Sequence, residues 1–160
     1  MFEKVLVCLD GSPLAEEILP YITEEGRHFS KVVFIRVLDA PVVDVGVGIP
    51  GGELAPFQTG KMLKDFKKAL GDAPRYLERK AKPLTDKGVD VEFVVQEGAP
   101  GPLILQYAQD NGVTMIAMAM HGHSGFREVL GSTAEFVLKH AGLPVLMMTP
   151  KHKMKRGEED

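Results

Sequence analysis

Hydrophobic and polar positions along this chain alternate between two periods. Short apolar runs, as expected of buried strands, are separated by stretches whose apolar residues recur every three to four positions. Residues 4–9, Lys4-Val5-Leu6-Val7-Cys8-Leu9, form the first such run and end at Asp10-Gly11. Ser12 then supplies a helix cap with Pro13 at the first helical position, where the missing N–H costs nothing. The helix is predicted to continue to His28, with Leu14, Ile18, Leu19 and Ile22 as its inner stripe. A second strand is predicted over residues 31–38. Residues 39–60 hold Pro41, Gly46, Gly48, Pro50, Gly51, Gly52, Pro56 and Gly60, too many breakers for a regular element, so a flexible loop is expected there.

Helical periodicity resumes at Lys61 with Met62, Phe66 and Leu70 on one face. Gly71-Asp72-Ala73-Pro74 is expected to interrupt it, a second segment follows through Tyr76, Leu77 and Ala81, and Pro83 disturbs that in turn. A third strand is predicted over 89–95, after Gly88. A helix from Pro100 places Leu103, Ile104, Tyr107 and Ala108 inward and closes at Asn111-Gly112. Residues 113–120 are almost wholly apolar and read as a strand covered on both faces. After them comes His121-Gly122-His123-Ser124-Gly125, then Gly131-Ser132-Thr133 at the start of a short helix carrying Phe136, Val137 and Leu138. Pro144-Val145-Leu146-Met147-Met148 forms a last strand, and residues 151–160 are expected to be a disordered tail. Strands alternating with helices in this way predict an α/β fold, a single doubly wound domain over residues 1–150 with a parallel sheet and helices on both faces.

At 160 residues, 44% hydrophobic and 26% charged, the composition is that of one globular domain. The net charge of −3 gives no electrostatic basis for nucleic-acid binding, which depends on neutralising phosphates. No apolar run approaches the ~20 residues of a membrane helix, and the N-terminus lacks a signal-peptide layout. The single cysteine, Cys8, has no intrachain partner and reads as a buried thiol in a reducing compartment, so a cytoplasmic location is expected.

Candidate chemistry concentrates between the 113–120 strand and the helix after Gly131. A helix N-terminus offers unpaired N–H groups and the positive end of the macrodipole, and glycines let a ligand approach the backbone closely. Rival chemistries fail on spacing. The phosphate loop of Gly, four residues and Gly-Lys-Ser/Thr does not occur, and Gly122-His123-Ser124-Gly125 lacks the residue that a nucleophile elbow places between its serine and second glycine. His121 and His123 share a face but have no evident third ligand, so no metal site is expected.

Several separated motifs, in order, resemble the universal stress protein family: Lys4-Val5-Leu6-Val7-Cys8-Leu9-Asp10-Gly11-Ser12, Val95-Gln96-Glu97-Gly98, Met118-Ala119-Met120-His121-Gly122, Gly131-Ser132-Thr133-Ala134-Glu135 and Pro144-Val145-Leu146. The resemblance covers residues 2–149 and implies a five-stranded sheet in the order 3-2-1-4-5. In one branch it also implies ATP held between the ends of strands 1 and 4. It places Leu9 and Asp10 beside base and ribose, Val37 against the adenine, Met118 and Ala119 along the nucleoside, and Gly122, His123, Gly131, Ser132 and Thr133 around the phosphates. The branch motif is Gly, two residues, Gly, nine residues, Gly, then Ser or Thr. This chain has Ala119 at the first glycine position and only eight residues between Gly122 and Gly131.

The residues taken singly also admit plainer roles: Asp10 as a turn stabiliser, Val37 and Met118 as core, Ser132 or Thr133 as a cap. Two functions therefore stand at this point. One is an ATP-binding regulatory homodimer of the stress response, with Mg2+ offsetting phosphate charge and at most slow hydrolysis, because Asp10 is the one carboxylate identifiable near the motif and Arg127 the one cation. The other is a nucleotide-independent dimeric interaction module with a vestigial phosphate site. The resemblance suggests pairing through the 144–148 strand, and the 39–60 loop is a candidate surface for a protein partner.

Overall fold

A computed structural model of the chain describes residues 2–41, 56–120 and 130–149. Its strands are β1 (Lys4–Cys8), β2 (Lys31–Leu38), β3 (Val91–Glu97), β4 (Met115–Ala119) and β5 (Val145–Met148). Its helices are α1 (Pro13–Glu16), α2 (Leu19–Glu25), α3 (Pro56–Thr85), α4 (Pro100–Asp110) and α5 (Ser132–His140), with a single 3-10 turn at Gly26–His28. The strands form one five-stranded, all-parallel sheet in the order β3-β2-β1-β4-β5, as the family resemblance implies.

Strand alternation divides the core in two. Val5, Val7, Val32, Phe34, Met115 and Ala117 face one way, against Ile18 and Ile22 of the first helical stretch and Leu77, Ala81 and Leu84 of α3. Leu6, Cys8, Val33, Ile35, Ile116 and Met118 face the other, against Ile104 and Ala108 of α4 and Ala134 and Val137 of α5. Because both faces are covered, every residue of β4 is buried and the strand is apolar throughout. The register Val5↔Val32 and Val5↔Met115 places like-facing residues side by side across the three central strands. Thr114 pins this alignment: its Oγ1 accepts from Lys4 N–H at 3.0 Å and donates to the Lys4 carbonyl at 3.1 Å.

Three sequence expectations need correction. The helix predicted from Ser12 to His28 is two helices, because Pro20 has no N–H and its ring crowds the carbonyl four residues earlier, so the chain restarts at Leu19. In the opposite sense, α3 runs unbroken through Gly71, Pro74 and Pro83. Both prolines are exposed, whereas Ala73, Tyr76, Leu77, Ala81 and Leu84 on the opposite stripe are buried. Each lost backbone bond therefore falls on the solvent side, and packing of the buried stripe outweighs it. Finally, α3 starts at Pro56, so residues 56–60 of the expected loop are helical; residues 42–55 and the 151–160 tail lie outside the described residues.

The strand ends also move slightly. β3 begins at Val91 rather than at residue 89, because Val89 N–H is still bonded to the Leu84 carbonyl of α3 at 3.2 Å. Val113 N–H likewise closes onto Ala108 of α4 at 3.1 Å, which delays β4 to Met115.

Candidate functional site

The sheet order reverses between β1 and β4, and a cavity of about 450 Å³ opens at the carboxyl ends of these strands and β2. Such a switch point is where doubly wound sheets hold ligands, because the loops leaving the two strands diverge to opposite faces. Leu9, Asp10, Val37, Met118, Ala119, Gly131, Ser132 and Thr133 all line this one cavity. Gly122 and His123 lie outside the described residues, as do His121 and Arg127.

The β1–α1 turn is built from three adjacent residues with separate tasks. Asp10 Oδ1 accepts the Ser12 N–H at 2.8 Å, and Ser12 Oγ caps α1 by accepting the Ala15 N–H at 3.1 Å. Gly11 between them has φ of +85°, a conformation that costs glycine nothing. The turn-stabilising role of Asp10 is therefore real, and the same carboxylate stands in the cavity wall. The first helical stretch is capped as predicted.

At α5 the expected cap is displaced by one residue. Gly131 is the N-cap, with extended backbone at φ −64° and ψ 154°, and Ser132 is the first helical residue. No side chain among the described residues caps the helix. The first-turn N–H groups therefore have no partner within α5 and meet the cavity at the positive end of the helix macrodipole. Along α5 Phe136 stacks on His140 with ring centroids 4.5 Å apart, and Lys139 pairs with Glu135 at 2.6 Å.

The remaining wall is apolar. Ile35, Val37, Ile104 and Met118 line it together with Cys8, giving an apolar slot that can take a planar ring. Burial alone pushes the Cys8 thiol up to about 12, so it stays protonated and is no nucleophile at neutral pH. Among the described residues no group of three or more His, Cys, Asp or Glu side chains could hold a metal ion.

Arg36 and Asp39 also line the cavity, and neither stood out in the sequence. Arg36 interrupts the apolar run that follows Lys31 in β2, and its polarity shows only that something near the strand end tolerates or needs a charge. Only the fold brings it beside Gly11, so the site has a cation that the motif itself does not contain.

A family model for the universal stress protein family matches residues 1–149. The chain belongs to that family. Among its relatives is the universal stress protein MJ0577 of Methanocaldococcus jannaschii, 28% identical over 95% of this chain and 98% of its own length. The solved structure of MJ0577 superimposes at a TM-score of 0.75 with 27% identity, covering 95% of this chain and 99% of that one. Two more distant family members share the fold. One, from Arabidopsis thaliana, was solved with AMP bound (17% identity, 98% of this chain and 97% of that one, TM-score 0.63). The other is a universal stress protein in complex with cAMP (17% identity, 92% and 96% covered, TM-score 0.61). In this family member no helix among the described residues is long and apolar enough to cross a membrane.

Proposed function

We propose that this universal stress protein binds ATP in the β1/β4 cavity and acts as a cytoplasmic regulatory protein of the stress response rather than as a dedicated enzyme. The observation that carries the reading is the convergence, in one cavity, of an apolar slot with the N-terminus of α5. The slot formed by Val37 and Met118 accepts the adenine, Asp10 meets the ribose hydroxyls, and the amides from Gly131 to Thr133 face phosphate oxygens. A divalent cation such as Mg2+ would share the triphosphate charge, carried in with the nucleotide because the described residues offer it no ligand cluster. Adenine nucleotides in relatives of the same fold support the base and ribose part of this assignment. Turnover is at most slow, because Asp10, the carboxylate closest to the proposed ribose, is tied to the Ser12 N–H of the β1–α1 turn.

The test is ligand-linked stability with a direct assay of contents. Saturating ATP with Mg2+ should raise the melting temperature, by the equivalent of about 2.7 kcal/mol when the ligand is at 100 times Kd. Mass spectrometry of small molecules released from freshly purified, denatured protein should find adenine nucleotide. No thermal shift at millimolar ATP together with no nucleotide in the purified protein would refute the reading.

The same reading includes a homodimer through β5. This strand pairs with β4 on one side and forms the edge of the sheet, and Leu146 on it is 41% exposed. An apolar edge strand offers unpaired backbone groups to a second copy. Light scattering at micromolar protein should report a dimer, and Leu146→Lys should shift it to monomer with the fold intact. A wild-type monomer would overturn the pairing, whereas a nucleotide-free dimer would favour the interaction-module function.

A further inference from the structure

We infer that Arg36 forms a second anion site in the cavity, so that the preferred ligand is an adenine nucleotide carrying a phosphate ester on its ribose in addition to its 5′ phosphate. This inference rests on the nucleotide reading above and deepens it.

The guanidinium is positioned by two neighbours. The Tyr76 ring of α3 lies beneath it, with Cζ 5.0 Å from the ring centroid. Gly11 approaches it closely: a Cβ there would sit 2.8 Å from Arg36 Nη2, 3.1 Å from Cζ and 3.4 Å from Nη1. The cation–π contact and the absent Cβ together hold the charged head at the cavity wall. Tyr76 is itself anchored. Its hydroxyl donates to Glu16 Oε1 at 3.0 Å, while Lys80 holds the other Glu16 oxygen at 2.7 Å. Burial and the Glu16 hydrogen bond both raise the Tyr76 phenol above its usual range, so it remains a donor.

Glu16, the carboxylate on the far side of Tyr76, is neutralised by Lys80, and none of the ion pairs among the described residues involves Arg36. Arg36 Nε is buried and has no hydrogen-bond partner. Leaving a buried donor of a charged group unsatisfied is costly, and a planar fork with its orientation already fixed is suited to bidentate binding of a phosphate. Arg36 lines the same cavity as the α5 N-terminus but leaves β2 beside the Asp10-Gly11 turn, at the ribose end of the proposed nucleotide. Doubly wound dinucleotide-binding folds use an arginine near the ribose in the same way, to accommodate a 2′-phosphate.

Calorimetry on the full chain with 5′-AMP, ADP, adenosine 2′,5′-bisphosphate and adenosine 3′,5′-bisphosphate tests this. One of the two bisphosphates should bind about tenfold or more tightly than AMP, the gain of a charge-assisted fork. Arg36→Met keeps the aliphatic stem on Tyr76 and should abolish that gain, bringing the affinity ratio of bisphosphate to AMP down to about one. Arg36→Lys should retain part of it. Tyr76→Phe, which keeps the ring and loses only the Glu16 hydrogen bond, should keep most of it. The wild-type ratio is decisive even if a variant folds poorly: no advantage for either bisphosphate overturns the inference, as does an advantage that survives Arg36→Met. Should AMP and ADP also fail to bind, the nucleotide reading falls with it; if they bind normally, only the Arg36 site is lost.

Discussion

Phe34→Ala is expected to lower the unfolding free energy by about 3–5 kcal/mol, the largest single-residue effect anticipated in this protein. Phe34 is fully buried at the centre of β2, flanked in the ladder by Val7 of β1 and Phe93 of β3. It lies in the core cluster with Leu77, Ala81 and Leu84 of α3. The two flanking strands are tied into the sheet and α3 rests on several other residues, so the site cannot collapse fully and a cavity adds to the lost transfer energy. For a chain of this length the loss corresponds to a fall of roughly 10 °C in melting temperature. The cavity takes its apolar wall from the opposite face of the sheet, so ATP affinity measured on the folded fraction should remain close to wild type. A melting temperature within about 2 °C of wild type would show that α3 does not pack on β2 as described.

Gly101→Ala couples stability to the site. Gly101 is buried in the first turn of α4, where a Cβ would meet the Phe136 side chain of α5 at 2.8 Å from Cδ1, 2.9 Å from Cγ and 3.1 Å from Cβ. Contact with Cβ means that turning the ring cannot relieve the clash, and the stack on His140 opposes that turn as well. The two helices must separate, at a cost of about 1–3 kcal/mol. Phe136 is little more than one turn from the N-terminus of α5, so the movement reaches the amides that face the cavity. ATP affinity is expected to fall about tenfold or more, because a tuned site tolerates displacements of only ~0.5 Å. Gly71→Ala is the matched control: nothing lies within 4 Å of its Cβ position and it is inside α3, so it should raise stability by about 0.5–1 kcal/mol and leave binding unchanged. Full affinity in Gly101→Ala would dissociate α5 placement from the site.

Much of the fold was legible because local chemistry and tertiary packing agree. β2 appears as predicted over residues 31–38, since its apolar residues Val32 to Ile35, in a doubly covered sheet, have one stable reading. Ser12-Pro13 starts α1 and Pro100 starts α4 for reasons contained within a turn of chain. Disagreement arose where breakers competed with burial. Pro20 splits a helix that the inner stripe continues, whereas Pro74 and Pro83 lie within an unbroken α3; all three are exposed, so the facing of the proline does not separate these outcomes, and no local pattern does either. At α5, Ser132 and Thr133 had the right chemistry for a cap, but the N-cap geometry fell on Gly131, one residue earlier.

The sequence by itself determined the strand and helix alternation, the family, and the association of Leu9, Asp10, Val37, Met118, Ala119, Gly131, Ser132 and Thr133 with one region, because motifs are local patterns and their order survives in the chain. Only the tertiary structure decided what stands between those motifs. Arg36 becomes a cavity residue because β2 lies beside β1 in register, because Gly11 leaves room above its guanidinium, and because α3, more than thirty residues on in the chain, brings Tyr76 beneath it. No local pattern encodes that meeting: it depends on three elements packing at once, and the electrostatics of the site follow from it.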